Sequence, residues 1–96
     1  MEKQYSDTNL KYLIRGIMML HTQDECLHFF EDLCTVSELQ EMARRLQAAK
    51  MLKNNYIYSE IAEQTGLSTA TISRVSRALK NGQGYQRMLS RMGSEE

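Results

Sequence analysis

Residues 58–77 read YSEIAEQTGLSTATISRVSR, and the spacing inside this stretch decides the fold. Apolar Ile61 stands at its fourth place, small Ala62 at the fifth, Gly66 at the ninth, Leu67 at the tenth, Ile72 at the fifteenth and Val75 at the eighteenth. Two short helices crossing at a tight turn make a demand at each place. Ala62 must be small because the second helix crosses it, Gly66 turns the chain, and Ile72 with Val75 lock the second helix onto the first. This is the helix-turn-helix pattern. It predicts a two-turn helix from Tyr58 to Thr65, ended by Gly66 in the left-handed conformation, with Ser68 as N-cap of the next helix.

Packing explains only part of that next helix. Ile72, Val75 and Leu79 recur at i, i+3 and i+7 and make one buried stripe. The other face opens with small residues, Thr69, Ala70, Thr71 and Ser73, continues with Arg74, Arg77 and Lys80, and carries no acid. A recognition helix enters the major groove by its N-terminal end, so small residues there permit close approach. Their hydroxyls can meet base edges and phosphates, and Ala70 or a Thr methyl suits a thymine methyl. The helix N-terminus directs amides at a phosphate, and an acid-free surface does not repel the DNA backbone. The alternative is a helical protein-interaction module without sequence-specific DNA binding; such interfaces favour large anchors, which this helix start lacks.

Outward from this motif the chain reads as all-α. There is no Pro, the glycines are confined to positions 16, 66, 82, 84 and 93, and no segment alternates with a strand period. Leu10, Leu13, Ile14, Ile17 and Met18 follow helical spacing after Ser6-Asp7-Thr8, predicting a helix near residues 7–21. Thr22-Gln-Asp-Glu25 and Thr35-Val-Ser-Glu38 fit the capping box and mark two further starts. The helix after Thr22, to about Leu33, should bury Cys26, Phe29, Phe30 and Leu33. The one after Thr35, to about Asn54, should bury Leu39, Met42, Ala43, Leu46 and Ala49. Asn81, Gly82 and Gly84 close the recognition helix, and residues 83–92 form a last amphipathic helix through Tyr85, Met88, Leu89 and Met92. The 96 residues then make a single domain, with N-terminal helices over 7–54, the helix-turn-helix over 58–80 and the C-terminal helix over 83–92.

Composition bounds the function. The chain is 42% apolar and 25% charged, in the globular range. Its net charge of zero hides an asymmetry: residues 64–94 hold five basic and no acidic side chains, whereas residues 1–63 hold ten acidic against seven basic. No apolar run approaches a membrane span, and the start MEKQYSDTN lacks a signal-peptide core, so a cytoplasmic protein with no membrane partner is expected. Cys26 and Cys34 are then read as reduced thiols. With His21 and His28 they lack the paired spacing of a zinc site, so no metal is expected. No nucleophile with its base, phosphate loop or carboxylate pair stands out, and the chain is not read as an enzyme.

Two segments, FFEDLCTVSELQEMARRLQAAKML from Phe29 and YSEIAEQTGLSTATISRVSRALKNG from Tyr58, resemble the tryptophan repressor superfamily, and within it the YerC/YecD-type relatives. The resemblance runs from about Phe29 to Leu89, and its second segment is the more diagnostic. It implies an all-α fold of six helices and an intertwined homodimer built largely from the N-terminal helices. It also implies a regulator of transcription, a repressor, whose partner is double-stranded DNA. Thr69, Ala70, Thr71 and Ser73 then fall on base-proximal positions, with Ser59 and Ala62 near phosphates.

The resemblance also bears on a co-repressor. The tryptophan repressor holds the indole between two arginines, and Arg45 and Arg74 match those positions. The glycine that follows the second arginine there is Val75 here, and a serine concerned with the ligand's amino group is Ala78. Valine adds an isopropyl group where the ligand would sit, and Ala78 removes a polar partner that a buried ammonium group would need. A small-molecule co-repressor stays open, but L-tryptophan is not expected. Arg45 has a second reading, as the partner of Glu41 at i, i+4.

Overall fold

The computed structural model of the chain describes residues 7–93. Over these it is all-α: α1 (Thr8–Ile17), α2 (Gln23–Leu33), α3 (Val36–Lys53), α4 (Tyr58–Thr65), α5 (Thr69–Asn81) and α6 (Gly84–Met92). Its contacts gather into two units, one running to Val36 and the other starting at Ser37.

In the first unit, Asp7 caps α1 by accepting the Asn9 amide at 2.8 Å, which offsets one of the donors a helix start leaves without a partner. The helix stops at Ile17, four residues short of the sequence expectation. The amides of Met19 and Leu20 bond to carbonyls three residues back, Gly16 at 3.0 Å and Ile17 at 3.1 Å, the tightened winding of a last turn. The next amide, that of His21, already belongs to the following helix, donating to Glu25 Oε1 at 2.7 Å. Thr22 Oγ1 accepts the Glu25 amide at 3.1 Å. The capping box therefore forms with His21 supplying the donor expected of Thr22.

Neither α1 nor α2 contains a buried residue. Cys26, Phe29 and Phe30 are half-buried and Leu33 is exposed, which corrects the expectation of a buried stripe on α2. Phe29 and Phe30 meet edge to face, centroids 5.4 Å apart, while Tyr12, Met18 and Met19 are exposed. Both cysteines are free thiols.

The second unit holds the core. Ala48, Ala49 and Met51 of α3 pack with Ile61, Leu67, Ile72, Val75 and Leu89. Ile61 and Ile72 are fully buried, each contributing about 1.5–3 kcal/mol. The expected inward set of α3 is borne out at Ala49, half-buried at Leu39 and Leu46, and wrong at Met42 and Ala43, which are exposed. Only the C-terminal half of α3 supplies buried residues to this core. Ala43 and Leu46 face Leu89 and Met92 of α6 across a cleft of about 420 Å³.

Asn55 takes the left-handed conformation, φ 68°, which Asn tolerates better than most side chains. There the Tyr56 amide bonds to the Met51 carbonyl at 3.1 Å and the Asn55 amide to Leu52 at 3.0 Å, the paired bonds of a Schellman end. Glu60 Oε1 then accepts the Ile57 amide at 3.1 Å and starts α4. The chain is thereby aimed into the helix-turn-helix.

Candidate nucleic-acid interface

The turn between α4 and α5 is fixed at three points. Gly66 ends α4 at φ 75°, ψ 4°, a left-handed geometry that glycine adopts without steric cost. Ser68 Oγ accepts the Thr71 amide at 3.1 Å and donates to Thr71 Oγ1 at the same distance. Thr65, buried beneath the turn, donates from Oγ1 to the Ile61 carbonyl at 2.7 Å and accepts the Leu67 amide at 3.2 Å. The sequence reading missed Thr65. Its signal was a hydroxyl residue just before the turn glycine, placed to use both its donor and an acceptor lone pair.

Beyond the turn, α5 buries Ile72, Val75 and Ser76 and half-buries Leu79. At about 100° per residue the pole opposite this face passes through Ala70, Arg74 and Arg77. All three are exposed, as are Ser68, Thr69 and Lys80. Thr71 and Ser73 lie on the flanks and are half-buried. The Thr71 hydroxyl is engaged by the N-cap, and Ser73 Oγ accepts from Arg77 Nη1 at 3.4 Å. On α4, Ser59 is exposed and Ala62 half-buried. The structure thus leaves Thr69, Ala70 and the basic residues exposed on a helix with no carboxylate, and places Thr71 and Ser73 at the flanks.

At the far end of α5 the Gly82 amide donates to the Ala78 carbonyl at 2.8 Å, and a Cβ on Gly82 would meet that oxygen at 2.8 Å. Only glycine fits there. Gln86 Nε2 donates to the Leu79 carbonyl, tying α6 to α5.

The positions matched to effector binding are dispersed in character. Arg45 Nη2 pairs with Glu41 Oε2 at 3.4 Å, both side chains partly exposed. Val75 is 3% exposed and belongs to the core. Ala78 borders a shallow pocket of about 470 Å³ lined by Leu46, Gly82, Gly84, Tyr85 and Met88. That lining contains no charged side chain.

The sequence profile of the Trp repressor protein family matches residues 8–93. The chain belongs to the Trp repressor family. It is 44% identical over 88 residues to the YerC protein of Bacillus subtilis (strain 168), covering 91% of this chain and 85% of that one. A TrpR-like protein from Eubacterium eligens ATCC 27750 shares its fold with a TM-score of 0.87 at 44% identity, over 92% of each chain. A second solved structure, from Staphylococcus aureus, gives 0.85 at 46% identity over 91% of this chain and 88% of its own.

At the level of the Trp repressor family the chain is a DNA-binding regulator rather than an enzyme. Among its described residues no helix is long and apolar enough to cross a membrane, and no three His, Cys, Asp or Glu side chains gather where they could hold a metal.

Proposed function

We propose that the chain is a homodimeric transcriptional regulator, a repressor, that binds double-stranded DNA sequence-specifically through α5, with L-tryptophan not its co-repressor. One observation carries the reading: the outward face of α5 combines small exposed residues at its start with Arg74, Arg77 and Lys80 and no acid. Thr69 and Ala70 then approach base edges, while Arg77, Lys80, the amides at the start of α5 and Ser59 on α4 anchor phosphates. Ser68 and Thr71 hold the helix start in shape, and Ser73 steadies Arg77.

The homodimer is supported by α1 and α2, which contain no buried residue and carry Ile14, Leu27 and Leu33 exposed. A second copy would cover these faces, making residues 7–54 the dimerisation core. Against tryptophan stands the pocket beside Ala78, whose lining holds no charged side chain and neither Arg45 nor Arg74. An ammonium or carboxylate placed in that pocket would have no oppositely charged partner in its lining.

The test is selection of the full chain on a random duplex library at physiological salt. A two-fold symmetric motif with half-sites about 34–36 Å apart is expected. With about three phosphates neutralised per subunit, affinity should fall with a log–log salt slope near −5. A flat salt response overturns the DNA reading. Retention of no duplex favours the protein-interaction module.

A further inference from the structure

We infer that Arg74 is the specificity-determining residue of this interface, reading a guanine in each half-site with its guanidinium fork, and that it does so without a bound effector. The inference rests on the DNA-binding reading above and assigns a residue whose position alone would suit either DNA or a ligand. Two arginines flank the outward pole of α5, and their surroundings differ. Side chains on a helix lean toward its N-terminus and meet the residue four places back. For Arg77 that neighbour is Ser73, and Nη1 donates to Ser73 Oγ at 3.4 Å. For Arg74 it is Ala70, which has no polar side-chain atom.

Arg74 is exposed and has no hydrogen-bond or ion-pair partner among the described residues. The N-terminal lean of a helical side chain takes it across small Ala70 toward the end of α5 that enters the groove. A planar fork of free N–H donors at that place matches the O6 and N7 acceptors of guanine in the major groove. Arg77, tethered one turn further from that end, is left to the phosphates.

The neighbourhood also withholds the ligand role. An arginine clamp needs both guanidinia at one pocket, with room for a ring between them. Neither Arg45 nor Arg74 lines the pocket beside Ala78. Nothing has to be bound before Arg74 is available.

The experiment compares the wild-type chain, Arg74→Lys and Arg74→Ala in the same duplex selection, with base preference at each position and the salt slope as readouts. Helicity by circular dichroism confirms that the variants fold; Arg74 is exposed, and the lysine variant keeps the charge. Wild type should select guanine at one position per half-site. Arg74→Ala should reduce that discrimination by about 5- to 150-fold and leave preferences elsewhere intact. Arg74→Lys should keep the salt slope and lose most of the guanine preference, because an ammonium lacks the fork. Wild-type affinity should be unchanged in saturating L-tryptophan. Equal weakening on every duplex by Arg74→Ala would overturn the inference and make Arg74 a phosphate contact, leaving DNA binding itself standing. So would a rise in wild-type affinity on adding tryptophan. Failure of the wild-type chain to select any motif would instead remove the reading beneath it.

Discussion

Both units of this chain are built from amphipathic helices, yet they dispose of their apolar faces in opposite ways. From Ser37 onward the stripes converge on Ile61, Ile72 and Val75, and the helices have a core of their own. In α1 and α2 stripes of comparable strength are at best half-buried, and Ile14 and Leu33 on them are about half exposed. Helical periodicity therefore says which side of a helix is apolar, but not which molecule covers it.

That contrast can be broken by substitutions on its two sides. The largest loss is expected for Ile72→Ala, which empties a fully buried site and should cost about 2–5 kcal/mol in chemical denaturation. A cost below about 1 kcal/mol would show that the helix-turn-helix core is not the stable part. Leu33→Ala on exposed α2 should spare the core and act on association instead, raising the dimer dissociation constant about 10- to 150-fold in sedimentation equilibrium. An unchanged constant would remove Leu33 from the interface and weaken the contrast.

Smaller effects sharpen it. Ser68→Ala removes the N-cap of α5 and should cost about 1 kcal/mol by thermal unfolding, with Ser68→Gly losing less. Arg45→Ala should cost under about 0.5 kcal/mol, since its pair with Glu41 is exposed and within one helix. A cost several-fold larger would mean that Arg45 holds something besides Glu41.

The sequence was most legible where structure is local. Gly66, Ser68, Ile61 and Ile72 act over a few residues, and their spacing alone located α4 and α5 to within a residue. Legibility fell where one choice competes with a neighbour. The end of α1 was misplaced because His21 could extend that helix or serve the cap of α2, and the bond to Glu25 settles it. It fell again at Met42 and Ala43, which share the apolar side of α3 with Ala49 but lie on the half that the core does not reach. At the interface, the residue types were readable and the competition among them was not. Ser73 and Thr71 carry hydroxyls suited to bases, but Arg77 and Ser68 already engage them.

Thr65 has a consequence for the thermodynamics of docking. Its hydroxyl joins the last turn of α4 to the Leu67 amide, and the next residue, Ser68, caps α5 through the Thr71 amide. The approach angle of the reading helix is then set before any duplex arrives, and little ordering entropy is left to offset binding. In hydrogen exchange, the Leu67 amide should rank with the core helices rather than with the loops.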